Sequence, residues 1–376
     1  MSREPFLNRS WVEIDIGQIR KNYRLYKDAL STHSFVIPVV KANAYGHGDI
    51  EVCRALSRDG ADFFAVSNIK EAVGLRKGGI KGEILVLGYT PPSLLCYLEE
   101  YDITQTVVSE KHVEELRKYA KRDTKFHIAI DTGMKRIGFS TENAEKCIKN
   151  IKNTAEKLKI TGVFTHFPVS DSNTFSDVAF TVKSIDIFDS ICSELVGLGI
   201  PIFHCFNSAG GLGYLSKTAS ATRLGISLYG YAPGSALQLP YGIEPALAWK
   251  SAICSVKELK CGESVGYGRS FVADRDMKIA TIMTGYADGY PRLASNRGYV
   301  LIGGKKCRIV GRVCMDMMMV DVSKCEEVEA GDTAVLIGKS GEEIVTASDI
   351  AEFADTISYE ILTGISGRVE RGYLSS

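Results

Sequence analysis

The 376-residue chain has no excess of either charge, since 45 lysine and arginine residues balance 45 aspartate and glutamate residues. A chain without a basic surplus lacks the electrostatic footprint that attracts nucleic acids and anionic membranes. It also has no apolar run approaching the roughly 20 residues that cross a bilayer. We therefore expect no nucleic-acid partner and no membrane contact by this chain itself.

The sequence also lacks the cysteine and histidine spacings of metal sites and disulfide frameworks. Its ten cysteines are scattered, none belongs to a Cys-x-x-Cys pair, and no His-Glu-x-x-His motif occurs. It shows no signal-peptide pattern at its start. These absences predict reduced thiols, no metal site and a cytoplasmic location.

Short apolar segments alternate with helical segments between residues 35 and 230. The eight predicted strands are 35–42, 62–67, 84–89, 104–109, 126–131, 161–166, 201–207 and 222–230. Eight strand–helix alternations over about 200 residues predict an α/β fold, a TIM-type (β/α)8 barrel. A doubly wound open sheet is the alternative, but no Gly-x-Gly-x-x-Gly motif follows the first strand.

Residues 232–245 change the character of the chain, because they contain three of its ten prolines. Such a stretch is typical of a linker. Strand-like segments dominate beyond it, so we expect a barrel over 11–240 and a smaller, mostly β C-terminal domain over 241–376. That domain should contain one helix, over 347–354. The period-two alternation of residues 11–16 predicts an N-terminal strand that joins the β domain.

Lys41 stands at the end of the first predicted barrel strand, directly after the apolar run 35–40. An amine at the edge of a buried strand is partly desolvated, which favours its neutral, nucleophilic form. A neutral lysine forms a Schiff base with an aldehyde. The alternative is a lysine that merely extends from the strand end into solvent.

Further polar residues fall at the carboxyl ends of the later strands, where a barrel of this kind collects its chemistry. They are Arg136 after the fifth strand, His166 at the end of the sixth, Asn207 and Ser208 at the seventh, and Arg223 on the eighth, followed by Gly225 and Ile226. The loops after strands seven and eight form the usual phosphate site of such barrels. A lysine facing a phosphate site matches the needs of pyridoxal 5'-phosphate.

Each of these residues also has a plainer interpretation. His166 suits a hydrogen-bonded core position, Arg136 a surface ion pair, and Asn207 with Ser208 the cap of the next helix. Their shared position at one end of the predicted barrel favours a common site. In the C-terminal part, Tyr267 and Tyr286 lie in glycine-flanked loops, and no spacing rule makes either of them catalytic.

Three motifs together resemble the alanine racemase family of pyridoxal phosphate enzymes, which combine a barrel with a β domain. They are VVKANAYGHG at 39–48, GYADG at 285–289 and VCMD at 313–316, and the resemblance runs from about residue 10 to 373. It implies a homodimer with shared active sites. Tyr267 and the segment 314–316 would then come from the partner subunit.

The resemblance also implies a role for each candidate residue. Lys41 would carry the cofactor, Arg223 would meet its pyridine nitrogen, and Tyr267 would be the second catalytic base. The remaining cofactor contacts would be Tyr45, Ser208, Gly225, Ile226 and Tyr286 at the phosphate, Arg136 at the phenolic oxygen, and His166 and Asn207 as supports. Arg136, Met315 and Gly367 would face the substrate, with Met315 at its carboxylate.

The implied reaction interconverts the L and D forms of a small amino acid, alanine or serine, and so supplies a D-amino acid for cell-wall precursors. Racemisation needs one acid–base group on each face of the reacting carbon, and Lys41 and Tyr267 can serve one face each. The alternatives are a non-catalytic pyridoxal phosphate-binding protein or a decarboxylase. The β domain with Tyr267 speaks against the first, and Arg223 at the ring nitrogen, where a decarboxylase usually places a carboxylate, speaks against the second.

Two positions depart from the family pattern. Ala129 stands where many members carry a carbamylated lysine, so an anion or another side chain must orient Arg136. Gly367 stands where many members carry a tyrosine, which leaves room for a side chain larger than methyl, unless the glycine only relaxes a turn or another residue fills the gap.

Gly367 and the opening residues 8–15 resemble the cytoplasmic racemase domains of the membrane-bound serine racemases of vancomycin resistance. This closer resemblance implies a membrane-anchoring domain outside the present sequence, with this chain as its cytosolic part.

Overall fold

The computed structural model describes residues 9–30, 34–120, 123–234 and 236–374, so Asn8 of the opening motif lies outside the described residues. The described chain forms two compact units. The α/β unit comprises residues 18–44 and 48–244, and the β unit comprises the described residues up to 17 together with 45–47 and 245 onward. No helix in these described ranges is both long and apolar enough to span a bilayer.

The strands of the first 244 residues are β1 (Ser10–Asp15), β2 (Phe35–Pro38), β3 (Phe63–Val66), β4 (Glu83–Val86), β5 (Thr104–Val107), β6 (Lys125–Asp131), β7 (Phe139–Ser140), β8 (Lys159–Phe164), β9 (Ile202–His204) and β10 (Ala221–Leu224). The helices are α1 (Ile16–Ala29), α2 (Lys41–Tyr45), α3 (Asp49–Ser57), α4 (Ile69–Lys77), α5 (Cys96–Glu100), α6 (Glu110–Tyr119), α7 (Ala144–Ala155), α8 (Phe175–Ser193) and α9 (Gly210–Gly213). Short 3₁₀ turns cover Pro92–Leu94, Val196–Leu198 and Ile226–Tyr229.

The α/β unit is built on a curled parallel sheet in the order β3-β4-β5-β6-β8-β9, with β7 beside β6. Strands β10 and β2 form a separate parallel pair. Single bridges, Val39 to Ala65 and Phe206 to Thr222, connect that pair to β3 and β9. All four residues of both β3 and β5 are buried, as expected for parallel strands that are covered on both faces.

Each predicted barrel strand contains an observed parallel strand, and seven of the eight predictions extend past the observed end, two of them by four residues or more. The predicted strand 35–42 ends at Pro38, and the predicted strand 222–230 ends at Leu224. The backbone leaves the extended conformation at these points, because α2 winds in the left-handed sense and Ile226–Tyr229 forms a 3₁₀ turn. The two largest differences therefore fall on segments that contain candidate site residues.

The strands of the β unit after residue 244 are β11 (Leu247–Leu259), β12 (Ser264–Val265), β13 (Phe271–Val272), β14 (Met277–Ile282), β15 (Tyr299–Ile302), β16 (Lys305–Arg308), β17 (Met318–Asp321), β18 (Thr333–Ser340), β19 (Glu343–Val345) and β20 (Glu370–Leu374). Its helices are α10 (Ala347–Ala354) and α11 (Ser358–Gly364). Its 3₁₀ turns cover Tyr267–Arg269, Tyr286–Asp288 and Arg292–Ala294.

The main sheet of the β unit runs in the order β16-β15-β18-β11-β1-β20, with β14, β17 and β19 paired beside this path. Strand β1 is antiparallel to β11 and parallel to β20. The buried Trp249 of β11 donates from Nε1 to Ser10 Oγ at 2.9 Å. The N-terminal strand therefore contributes both backbone and side-chain contacts to this sheet.

Candidate active site

Lys41 opens α2, a turn whose next residues have left-handed backbone angles. The values of φ are 52° at Ala42, 55° at Asn43 and 52° at Ala44. Backbone hydrogen bonds hold the turn, since Ala44 N–H donates to Val40 O at 2.9 Å and Gly48 N–H donates to Asn43 O at 2.9 Å. The lysine is thus fixed directly behind β2 by a segment of unfavourable conformation.

The electrostatic surroundings of Lys41 favour a neutral amine. Burial, assisted by the positive charges of Arg136 and Arg223, lowers the pKa of Lys41 from its ordinary value, and the carboxylate of Glu71 opposes this shift. A lysine amine with a lowered pKa is a better nucleophile and base near neutral pH. The direction of this shift is the one that a nucleophilic lysine requires.

Arg223 on β10 is only 3% exposed. Its Nη1 donates to both Nδ1 and the carbonyl oxygen of His204 at 2.8 Å, and its Nη2 donates to Thr165 O at 2.7 Å. Nη2 also lies 3.2 Å from Nδ1 of His166 and 3.2 Å from Cys205 O. Burial lowers the pKa of Arg223 only to about 10, so the group stays charged at neutral pH.

The hydrogen bonds of Arg223 fix the tautomers of a buried histidine pair. Arginine can only donate, so Nδ1 of His204 accepts and its Nε2 carries the proton. Nε2 of His204 lies 2.8 Å from Nδ1 of His127 and donates to it. Burial lowers the pKa of His127 to about 3, and burial together with Arg223 lowers the pKa values of His204 and His166 well below their ordinary range. Three neutral imidazoles therefore accompany one buried cation.

This arrangement predicts acid sensitivity. The pKa of His127 is lower in the folded protein than its ordinary value of 6.5, so the unfolded chain binds the proton first as the pH falls. The contribution of His127 to the free energy of unfolding is therefore fully present above pH 6.5 and is lost as the pH falls toward about 3. Between pH 7.5 and 5, we expect the free energy of unfolding to fall by about 2 kcal/mol more in the wild type than in His127→Gln. Urea unfolding at both pH values measures this difference, and parallel losses in the two proteins would contradict it.

The loops after β9 and β10 lie together, as the sequence predicts for a phosphate site. Asn207 Oδ1 accepts from the N–H groups of Ala209 and Gly210 at 3.1 and 2.9 Å, just before and at the start of α9. Ser208 Oγ accepts from Gly225 N–H at 2.9 Å and so joins the two loops. Within the described ranges, the N–H of Ile226 has no hydrogen-bond partner. A free N–H beside a serine hydroxyl fits a phosphate group.

Arg136 and Ala129 line a cavity of about 20 Å³ together with Met134 and His166. This volume is about that of one water-sized site. No side chain of the described residues hydrogen-bonds to the guanidinium of Arg136, so none of them takes the place of a modified lysine at position 129.

In the β unit, two of the sequence motifs lie against each other. Tyr286 N–H donates to Cys314 O at 3.0 Å, and Ala287 N–H donates to Met315 O at 2.9 Å. A Cβ added to Gly285 would lie 2.3 Å from Cys314 O, so this close approach requires glycine. The side chains of Tyr286 and Met315 remain exposed.

Sequence reasoning missed the charge cluster that supports this segment. Arg9 Nη2 donates to both carboxylate oxygens of Asp288 at 2.9 and 3.0 Å, and Arg368 Nη2 donates to Asp316 Oδ1 at 2.8 Å. Asp288 is almost fully buried. A paired buried carboxylate of this kind fixes backbone geometry, here that of 314–316.

The other candidate residues of the β unit differ in exposure. Tyr267 lies on a 3₁₀ turn with left-handed glycines on both sides, Gly266 and Gly268, and its side chain is 69% exposed. Tyr45 is buried, with its ring centroid 5.9 Å from that of Tyr359, and burial raises its pKa. Gly367 has no left-handed backbone, and a Cβ there would meet no atom within 4 Å.

Both the N-terminal and the C-terminal part of the chain match known protein families. The family models "Alanine racemase, N-terminal domain" and "Alanine racemase, C-terminal domain" match residues 14–233 and 246–373. The alanine racemase of Halothermothrix orenii is 40% identical, over 97% of this chain and 96% of its own. The solved alanine racemase of Clostridium difficile 630 has a TM-score of 0.91 and 34% identity, with 98% of this chain and 97% of that chain covered.

A further solved relative shows the cofactor. The alanine racemase of Bartonella henselae, solved with covalently bound pyridoxal phosphate, has a TM-score of 0.86 and 28% identity, with 98% of this chain and 100% of that chain covered. By its matched domains and its relatives, the chain belongs to the alanine racemase family.

Proposed function

We propose that this protein is a pyridoxal phosphate-dependent isomerase that racemises a small amino acid, alanine or serine. The observation that carries the proposal is the placement of two basic side chains on or just after neighbouring strands. Lys41 follows β2 and has a lowered pKa, while Arg223 lies on the adjacent strand β10 and stays charged. The first is the nucleophile that the cofactor requires, and the second is a fixed positive charge for its ring nitrogen.

The residues of the α/β unit fit the cofactor. Lys41 would hold it covalently, and the free N–H of Ile226, beside Gly225 and Ser208, would bind the phosphate. Among the residues that the structure describes, Arg223 Nε makes no hydrogen bond, so it can donate to the pyridine nitrogen. When bound, the cofactor withdraws electrons from the α-carbon and thereby acidifies the α-proton.

The protein then has to move one proton on each face of the α-carbon. Lys41 would remove or return the proton on one face and Tyr267 on the other. Arg223 keeps a positive charge at the ring nitrogen and so disfavours its protonation, which limits side reactions. Neutral His166, next to Arg223, supports this arrangement without adding a second charge.

We further propose a closed (β/α)8 barrel over 11–240 and a β domain over 241–376. The two bridges beside β2 and β10 support closure of the barrel. The active site is proposed to be completed in a homodimer, with Tyr267 and the segment 314–316 supplied by the partner subunit. The exposure of Tyr267 and Met315, at 69% and 53%, supports this role. The location is proposed to be cytoplasmic, and the D-amino acid product to enter cell-wall precursors.

More specifically, we propose that the substrate is serine and that the chain is similar to the serine racemases of vancomycin resistance. Its support is the open space around Gly367, where nothing lies within 4 Å of an added Cβ. The relatives named above are alanine racemases, so alanine is the alternative substrate. A non-catalytic binding protein and a decarboxylase are not favoured by these relatives.

The function is tested by incubating the cofactor-loaded protein with L-alanine and with L-serine and following the D-enantiomers by chiral chromatography. D-product from either substrate supports racemisation. Carbon dioxide release without D-product would indicate a decarboxylase, and the absence of both products would indicate a binding protein. Serine turnover at least equal to alanine turnover supports the serine proposal.

A Gly367→Tyr variant is expected to lose serine turnover about tenfold more than alanine turnover, because a phenol in the open space competes with the hydroxymethyl group. The measurement is kcat/KM for both substrates. Gly367→Ala is the matched control, since a single methyl group meets no neighbour and should leave the ratio unchanged. Equal losses on both substrates in Gly367→Tyr would contradict a role in specificity.

A further inference from the structure

The turn after Lys41 has to be held in place by its surroundings. Ala42, Asn43, Ala44 and Tyr45 all have φ between 52° and 55°, and the two alanines and the tyrosine are residue types that disfavour this region. Four such residues in succession persist only where other contacts determine the conformation. Because the turn starts at Lys41, the same contacts decide where the lysine amine lies.

Glu71 supplies a contact from a different element. Its Oε1 accepts from the N–H of Ala42 at 2.9 Å, and its Oε2 accepts from the N–H of Ser67 at 2.7 Å. The carboxylate thus bridges the first residue after Lys41 and the first residue after β3. Each oxygen accepts from one backbone N–H, a pattern that an amide cannot reproduce, because its nitrogen does not accept.

Glu71 is itself fixed in position. It occupies the first turn of α4, and its N–H donates to the side chain of the capping residue Asn68 at 3.1 Å. A carboxylate in the first turn of a helix is also favoured by the helix dipole. The anchor therefore belongs to a rigid element rather than to the strained turn.

Charge gives Glu71 a second effect on the lysine. Three charged groups act on the Lys41 amine, the cations Arg136 and Arg223 and the carboxylate of Glu71. Glu71 is the negative one and opposes the lowering of the Lys41 pKa. The imidazole of His166 belongs to the same cluster but is neutral, because its pKa is far below the ordinary range.

We propose that Glu71 is a positioning residue. Its carboxylate fixes the left-handed turn after Lys41 and places a negative charge beside the lysine amine. This inference rests on the proposed racemase function. Glu71 does not itself touch the substrate in this proposal. It acts through Lys41, by geometry and by charge, and the two effects can be separated by substitution.

The first test uses Glu71→Gln, Glu71→Asp and the wild type as cofactor-loaded enzymes. Glu71→Gln removes the charge and one acceptor, so we expect kcat to fall up to about 100-fold through misplacement of the lysine. The limb of the kcat/KM pH profile that belongs to Lys41 should move to lower pH. Glu71→Asp keeps the charge but is too short to bridge both N–H groups, so kcat should fall while that limb stays in place.

Glu51→Gln is the matched control, because Glu51 lies in the first turn of the neighbouring helix α3 and, among the residues that the structure describes, forms an ion pair only with the exposed Arg54. It should leave both kcat and the pH profile at wild-type values. Wild-type kcat and an unshifted profile in Glu71→Gln would overturn the proposal. So would an identical shift in Glu51→Gln, which would indicate a general charge effect.

A second readout does not depend on turnover. Cofactor-free protein is mixed with pyridoxal phosphate at a series of pH values and reduced with borohydride, and the label on Lys41 is measured by peptide mass spectrometry. The pH midpoint of labelling should be lower in Glu71→Gln than in the wild type and unchanged in Glu71→Asp. If the wild type is labelled with this pH dependence but racemises neither amino acid, the proposed function fails and the role of Glu71 stands. An unchanged midpoint in Glu71→Gln overturns the role.

Discussion

Lys41→Ala is expected to abolish racemisation of both L-alanine and L-serine, with a loss of at least about 10⁴-fold. The substitution removes the covalent attachment of the cofactor and one of the two acid–base groups, and each role alone contributes factors of about 10²–10⁴. No neighbouring side chain can take over, because the nearby cations Arg136 and Arg223 are guanidinium groups, which stay protonated. Chiral chromatography of the products, with excess pyridoxal phosphate present, measures the loss.

The control for this substitution is Lys70→Ala on the exposed face of α4, which should keep wild-type activity. Circular dichroism and urea unfolding should show that Lys41→Ala still folds. Burial lowers the pKa of Lys41 and disfavours its charged amine, so removing the amine should not reduce the free energy of unfolding. Retained racemisation in Lys41→Ala would show that another group carries out the chemistry and would overturn the central assignment.

The prediction of Lys41 from sequence depended on strand position, and this explains where sequence reasoning succeeded. An apolar run of four to eight residues predicts a buried strand whatever its partners are. The polar residues at the carboxyl ends of parallel strands then become candidates for a common site, and these included Lys41, His166, Ser208 and Arg223. The structure places all four in the α/β unit, at or just beyond the ends of their strands.

The ends of the strands could not be predicted in the same way. The left-handed turn begins with Ala42 and Asn43 and continues through Ala44, and alanine carries no signal for such a conformation. Tertiary contacts, including the bridge from Glu71, hold it there. Helix α11 was missed for a related reason, since no side chain caps its start at Ile357.

The sequence also could not predict contacts between residues that lie far apart along the chain. His127 and His204 are 77 residues apart, and their hydrogen bond depends on the strand register between β6, β8 and β9. Arg9 and Asp288 are 279 residues apart and meet because β1 joins the sheet of the β unit. Local periodicity contains no information on such pairs, so a family resemblance or a structure is needed to find them.

Tyr267→Phe is expected to reduce racemisation by about 10²–10⁴-fold, the usual contribution of a positioned acid–base group. The substitution removes a single oxygen from a side chain that is 69% exposed, so folding should be unaffected. Loss of one base does not stop chemistry on the other face. Lys41 should therefore still exchange the α-proton of one enantiomer with solvent, while the other enantiomer becomes inert.

The measurement is deuterium incorporation from D₂O into L-alanine and, separately, into D-alanine, read by mass spectrometry. In the wild type both enantiomers should incorporate deuterium and interconvert. In Tyr267→Phe only one should exchange, and it should keep its configuration. The control is Tyr241→Phe, another exposed tyrosine, which should behave as the wild type. Equal loss of exchange in both enantiomers would give Tyr267 a binding role instead, because a group that serves one face cannot silence the other.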